Sequence, residues 1–143
     1  MEPKIYYNNV NYRLGKTIDI KNWIKEVIRS EGKTTGDLSF IFVGHEEIRD
    51  INIEFLDHNY ETDVICFDYR NGDQVNGEIY LGIDVIKENA GKFNKTIRNE
   101  VMRVMVHGVL HIIGYDDKDE KEKRIMRQKE DFYLELKDKE NAI

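Results

Sequence analysis

The sequence TIRNEVMRVMVHGVLHIIG, residues 96–114, decides the fold of this 143-residue chain. It predicts a buried helix over 96–113, because apolar side chains cover most of its circumference. Gly114 ends the helix, since glycine readily takes the left-handed conformation of a helix stop. A polar line on a core helix costs free energy unless it opens on a cleft or finds partners, so we expect a cleft here. At roughly 100° per residue, four polar side chains fall in one narrow sector of this helix: Glu100, Arg103, His107 and His111.

The two histidines of this line form a candidate metal site. His107 and His111 are one helical turn apart, so both rings reach one ion from the same face. The turn at Gly114 then brings an acidic residue back toward them. We favour Asp117 as the third ligand, three residues past the glycine, with Asp116 as the alternative. Two histidines and one carboxylate leave a position for water, which is typical of a catalytic site.

Other residue patterns limit the chemistry of this site. Zinc peptidases carry H-E-x-x-H, whose glutamate is the general base. Gly108 stands in that place here, which disfavours a peptidase. A general base would then have to reach in from the sheet, and Glu78 and Asp63 are the candidates. A purely structural ion is a further alternative. His45 and His58 lie in polar stretches at helix ends, so we expect surface or capping roles for them.

The rest of the chain predicts one α+β domain over residues 1–143, with a small mixed sheet of about four strands and helices packed on it. The two later strands are expected to form a hairpin across a polar turn at 71–73. The predicted strands are 5–14, 37–43, 63–69 and 77–82. The predicted helices, besides 96–113, are 17–31, 45–56, 84–93 and 118–139.

The composition further limits the class of protein that this chain can belong to. The formal charge is −6, from 28 acidic and 22 basic residues, which argues against a globally basic nucleic-acid coat. A single cysteine, Cys66, excludes an internal disulfide framework and, with four histidines, the Cys-rich zinc fingers. The N-terminus shows no apolar signal core, and no uncharged run reaches membrane-spanning length. We therefore expect a cytoplasmic protein with no membrane partner.

RNA binding would need a local basic patch within this acidic chain. The stretch 87–103 offers one, with five basic residues against Glu88 and Glu100. Three tyrosines are candidates for base stacking, although packing within the sheet is the simpler interpretation. The basic residues are Lys87, Lys92, Lys95, Arg98 and Arg103, and the tyrosines are Tyr60, Tyr69 and Tyr80.

The segment HGVLHIIGYDD, residues 107–117, resembles the signature of the YbeY family, H-G-x-L-H-x-x-G-Y-D-H, in all but its last position. Residues 62–67, TDVICF, are similar to a second family block, T-D-V-L-S-F, and follow Asn52 at the family's spacing. Weaker similarities extend the resemblance over residues 38–135: Gly77-Glu78-Ile79, and Met126 with Glu130.

This resemblance implies a cytoplasmic, metal-dependent endoribonuclease that binds zinc through the signature. It would cut single-stranded RNA and act in maturation of small-subunit ribosomal RNA, close to the small ribosomal subunit. DNA is not an expected substrate. The alternative is a ribosome-assembly factor that binds RNA and carries a weak or vestigial metal site.

Two departures from the family pattern affect this expectation. Asp117 replaces the family's third histidine, which makes the ligand set more negative and admits nickel, cobalt, manganese or iron beside zinc. Leu56 stands where the family usually has an arginine. Arg103 is our candidate replacement for steadying a phosphate, and a salt bridge to Glu100 is its alternative role. The nucleophile is expected to be an activated water, with the RNA 2′-hydroxyl as the alternative.

Overall fold

The computed structural model describes residues 1–141, with side chains for residues 1–139. This part of the chain contains four strands and five helices. Residues 142 and 143, which the predicted domain also covers, lie outside it. The strands are β1 (Lys4–Tyr7), β2 (Thr34–Val43), β3 (Val64–Asp68) and β4 (Gln74–Gly82). The helices are α1 (Thr17–Ser30), α2 (His45–Leu56), α3 (Ile83–Lys92), α4 (Ile97–Ile113) and α5 (Glu120–Asn141).

The four strands form one sheet in the order β1-β2-β4-β3. β1, β2 and β4 run parallel, while β3 pairs antiparallel with β4 as the predicted hairpin. The predicted α+β class with a four-stranded mixed sheet is therefore confirmed. The predicted strand over 5–14 is too long, because β1 ends at Tyr7. Asn9 takes a left-handed conformation, with φ of 52°, and this turns the chain away from the sheet.

The main core lies between the sheet, α1 and α4. Ile79 and Leu81 of β4 are fully buried and belong to the same apolar cluster as the inner side chains of α4. Gly77 and Ile79 both face α4, because a Cβ atom at Gly77 would meet Ile112 and one at Gly108 would meet Ile79. Burying each such aliphatic side chain contributes about 1.5–3 kcal/mol. This packing fixes the position of α4 against the sheet.

Gly108 allows α4 to approach the sheet closely. A Cβ atom at this position would lie 2.9 Å from two carbons of Ile79 and 3.3 Å from the sulfur of Cys66. The glutamate that a zinc peptidase carries beside its first histidine would therefore not fit. None of the helices within residues 1–141 combines the length and the apolar character needed to cross a membrane.

Candidate active site

A cleft of about 670 Å³ runs along α4. The polar line predicted from the sequence forms its floor, since Glu100, Arg103, His107 and His111 all line it. One wall comes from Leu56 and the segment 62–66, and the other comes from α5. Asp117 lines the cleft as well, while α5 contributes Lys123, Met126, Arg127 and Glu130.

His107 is held in a defined orientation by a buried carboxylate. Its Nδ1 lies 2.7 Å from Oε2 of Glu130, which is 5% exposed. A hydrogen bond donated from Nδ1 leaves the lone pair of Nε2 free, and this is how metal-binding histidines are usually oriented. Nε2 lies 3.6 Å from Oδ2 of Asp117. Two ligands of one tetrahedral zinc ion would stand roughly 3.3 Å apart, given bonds near 2.0–2.1 Å.

The electrostatic surroundings of His107 favour a positive charge at this point. Burial lowers the pKa of His107, but the hydrogen bond to Glu130 and the charges of Glu130, Asp117 and Asp63 raise it above its ordinary value overall. A site that attracts a proton to an imidazole also attracts a divalent cation, and the two compete for the same nitrogen.

Asp117 and Asp116, the two acidic candidates for third ligand, lie in different surroundings. Asp117 lines the cleft and faces His107. Asp116 is engaged in the turn itself, where its Oδ1 accepts a 3.0 Å hydrogen bond from the backbone N–H of Asp117 and its Oδ2 lies 3.6 Å from Nζ of Lys118. His111 lines the same cleft one turn beyond His107. Within residues 1–139 no three His, Cys, Asp or Glu side chains stand close enough together to hold an ion.

The turn that returns Asp117 to the cleft is built around Gly114. Its φ of 133° is one that residues with a side chain rarely adopt. The backbone N–H groups of Gly114 and Tyr115 donate to the carbonyl oxygen of Leu110, which closes the end of α4. The hydroxyl of Tyr115 then donates a 2.6 Å hydrogen bond to Glu31. This bond anchors the turn to the end of α1.

The family model for Endoribonuclease YbeY matches residues 6–137 of the chain. The chain belongs to the YbeY family. A relative from Christiangramia forsetii, named Endoribonuclease YbeY, is 40% identical over 92% of both chains. One of the same name from Flavobacterium psychrophilum is 40% identical over 89% of this chain and 91% of its own. The solution structure of TM1509 from Thermotoga maritima is 29% identical with a TM-score of 0.68, and the match covers 98% of this chain and 91% of that one. The family expected from residues 107–117 is thus confirmed.

Arg103 does not make the salt bridge to Glu100 that its spacing on this YbeY helix allows. Its guanidinium spans to α5, where Nη1 donates to Glu130 at 2.9 Å and Nη2 donates to Asp131 at 2.6 Å. The Arg103 side chain is 17% exposed. It therefore holds Glu130, which in turn holds His107, and we assign it a positioning role beside the expected contact with a phosphate.

The structure does not bring Glu78 to the histidines. Gly77 and Ile79 face α4, and alternation along β4 places Glu78 on the opposite face of the sheet. There its carboxylate accepts hydrogen bonds from the hydroxyls of Tyr69, at 3.3 Å, and Tyr80, at 3.5 Å. Asp63 is the candidate base that lines the cleft.

The RNA-binding residues expected from the sequence are also placed elsewhere. Of the five basic residues in 87–103, only Arg103 lines the cleft. Arg98 instead donates hydrogen bonds to the carbonyl oxygens of Leu14 and Gly15. None of the three candidate tyrosines lines the cleft. Its other cations, Lys123 and Arg127, lie on α5, outside the stretch 87–103.

The remaining candidates agree with the sequence analysis. His45 and His58 lie outside the cleft, and His45 instead pairs with Asp84 at 3.1 Å. Asn52 is buried and its side-chain amide donates to the carbonyl oxygen of Tyr60 at 2.9 Å. This bond shapes the loop that leads to the cleft wall.

The sequence signal for Glu130 is its match to the family's C-terminal pattern, but that match does not reveal its contact with His107.

Proposed function

We propose that this chain is a metal-dependent endoribonuclease that cuts single-stranded RNA and acts in maturation of small-subunit ribosomal RNA. The observation that carries the proposal is the approach of His107 Nε2 to Asp117 on the floor of an open cleft, with Nδ1 engaged by Glu130. The name of the similar proteins supports the reaction type. A ribosomal RNA substrate places the activity in the cytoplasm, at the small ribosomal subunit.

The three candidate donors match one divalent ion in their chemistry. His107, His111 and Asp117 offer two imidazole nitrogens and one carboxylate, which is a ligand set of catalytic zinc sites. When bound, such an ion supplies a Lewis acid that activates a nucleophile and polarises a phosphoryl oxygen. The carboxylate of Asp117 adds a negative charge, so nickel, cobalt, manganese and iron are candidates beside Zn²⁺.

Asp63 is suited to accept the proton of the nucleophile. It lies on the cleft wall, where burial raises the pKa of its carboxyl group against the opposing charge of nearby His107. A carboxylate whose pKa lies above its ordinary value is a stronger base than a free carboxylate. The same group would accept a proton from water or from the RNA 2′-hydroxyl.

Binding of the RNA backbone is assigned to the cations of the cleft. Arg103 keeps N–H groups beyond those that it donates to Glu130 and Asp131. Arg127 is exposed and makes no hydrogen bond or ion pair with residues 1–139. Guanidinium groups recognise phosphate oxygens through two parallel hydrogen bonds. The N–H groups of Arg127 are therefore available to a phosphate of the substrate.

A second candidate function follows from Leu56. This apolar side chain lines the cleft where the family usually has an arginine. A cleft that lacks this cation would bind a phosphate less tightly, as expected of an assembly factor that binds RNA without cutting it. The two functions predict different products from the same reaction mixture.

The deciding experiment incubates purified protein with end-labelled single-stranded RNA and each divalent ion in turn. We expect cleavage with at least one ion, and loss of cleavage in the His107→Ala/His111→Ala double variant. A mobility shift without cleavage under every ion would instead support the assembly factor. Undiminished cleavage by the double variant would point to a contaminating nuclease.

A further inference from the structure

The cleft extends beyond the histidines to the beginning of α4. Glu100 lies seven residues before His107, which is roughly 10 Å along the helix axis. Asn89 from the last turn of α3 and Phe93 immediately after α3 line the same cleft. We call Asn89, Phe93 and Glu100 the α3–α4 subsite. The reaction proposed above uses none of these three side chains.

Glu100 is a largely buried acid that is attracted electrostatically by Arg103 and Arg127. It is only 6% exposed, and it makes no side-chain hydrogen bond or ion pair with residues 1–139. The nearby guanidinium of Arg103 is instead engaged by Glu130 and Asp131. No side-chain nitrogen or oxygen among residues 1–139 is both buried from solvent and without a hydrogen-bond partner, so the carboxylate oxygens of Glu100 reach the cleft. They are therefore open to the hydrogen-bond donors of a ligand.

Phe93 provides the second independent observation. Its ring is 59% exposed although it is a large apolar side chain, and it lines the cleft rather than the core. Proteins that bind single-stranded RNA stack unpaired bases on such aromatic rings and read the base edges with polar side chains. The half-buried amide of Asn89 adds both a donor and an acceptor to the subsite.

We propose that the α3–α4 subsite binds a guanine base of a nucleotide that flanks the scissile phosphate, with the base stacked on Phe93 and its Watson–Crick edge on Glu100. Guanine presents two adjacent donors, N1–H and the 2-amino group, and an ionised carboxylate offers two acceptors in the same spacing. Adenine and cytosine present one amino group beside a ring acceptor, which faces the carboxylate unfavourably. This inference rests on the proposed endoribonuclease function.

The test measures kcat/KM for short single-stranded RNAs that vary one base at each position flanking the cut. We expect guanine at one position to be favoured over adenine by about tenfold, which is within the range of one bidentate base contact. Inosine, which lacks the 2-amino group, should fall between them. In Glu100→Gln, which turns one acceptor into a donor, the guanine and adenine substrates should be cleaved within about twofold of each other.

Two further variants distinguish recognition of the base from damage to the fold. Phe93→Ala should raise KM for every base at that position, and Phe93→Tyr should restore it. Glu88→Gln is the matched control, because Glu88 is an exposed glutamate of α3 outside the cleft, and it should retain the full guanine preference. Melting temperatures of all variants report whether the fold is kept.

Binding of guanosine monophosphate, followed by NMR against inosine and adenosine monophosphates, tests the subsite without any cleavage. Tighter binding of the guanosine nucleotide that Glu100→Gln removes would support the subsite even if no RNA were cut, so the two proposals fail separately. Equal cleavage of all four flanking bases by the wild type, with equal binding of the three nucleotides, would overturn it. An equal loss of kcat/KM on every substrate in the Glu100→Gln variant would also overturn it.

Discussion

Nδ1 of His107 donates a 2.7 Å hydrogen bond to Oε2 of Glu130, a buried carboxylate from a helix more than twenty residues further along the chain. The same carboxylate accepts from Arg103 through its other oxygen. The orientation of the first histidine thus depends on the docking of α5 against α4. This arrangement leads to the first two predictions.

Glu130→Gln should weaken metal binding about tenfold to a hundredfold, the usual effect of removing a charged partner of a metal-binding histidine. The amide still accepts the hydrogen bond from Nδ1 but no longer raises the basicity of the ring. Competition with a chromogenic chelator measures the dissociation constant. Glu135→Gln, an exposed position on the same helix, is the control and should bind as the wild type does. Equal affinities in both variants would contradict the positioning role of Glu130.

Arg103→Ala should lower the free energy of unfolding by about 3 kcal/mol, because it leaves Glu130 buried without its cation. The partial exposure of Arg103 places the loss at the low end of the range for buried pairs. Urea denaturation at pH 7 measures the change. Arg124→Ala removes an exposed arginine of α5 and should change stability by less than about 0.5 kcal/mol. Similar losses in the two variants would show that the ion pair with α5 contributes little.

Gly108→Ala should destabilise the protein by about 1–3 kcal/mol through overpacking against Ile79. Gly91→Ala is the matched control, because Gly91 is also helical but has open space around its Cβ position. It should gain about 0.5–1 kcal/mol from reduced chain entropy in the unfolded state. Opposite signs in urea denaturation are therefore expected. A stabilising Gly108→Ala would mean that α4 can move away from the sheet at no cost.

Glu31 should make the free energy of unfolding depend on pH in the acid range. Burial raises the pKa of Glu31, but hydrogen bonds from Tyr115, Tyr133 and Lys129 lower it below its ordinary value overall. A carboxyl group whose pKa is lower in the folded state stabilises the fold above its unfolded pKa, which is about 4.3. That contribution is lost as the pH falls through the folded pKa.

Denaturation of wild type and Glu31→Gln at pH 7 and at successively lower pH checks this expectation. The wild type should be more stable at pH 7, and the difference should shrink below about pH 4, where the unfolded carboxyl is protonated. Glu26→Gln is the control, since Glu26 forms a single surface pair with Arg29. A difference that stays constant from pH 7 into the acid range would contradict the assigned pKa shift.

The sequence alone predicts the helix that carries the site, because the apolar pattern of α4 and the stop at Gly114 are local features. The polar line of His107 and His111 follows from the same periodicity, and the signature identifies the family. Strand alternation also places Glu78, but only once the face of β4 that meets α4 is known. Without that register, the sequence cannot separate Glu78 from Asp63 as the base.

Contacts between distant elements were not predictable in the same way. Glu130 and Arg103 lie 27 residues apart on two helices, and the charge pattern of α5 does not show which of its faces docks on α4. For this reason the sequence does not show that Lys123 and Arg127 of α5 line the cleft. Asn9 ended β1 early through its backbone conformation, which the residue type alone does not determine.

Elemental analysis of protein purified without added metal, beside the His107→Ala/His111→Ala double variant, tests the metal site most directly. We predict roughly one divalent ion per wild-type chain and a trace amount in the double variant, with both proteins folded. The same ion content in the two proteins, or a wild-type protein that takes up no divalent ion when one is supplied, would contradict the account.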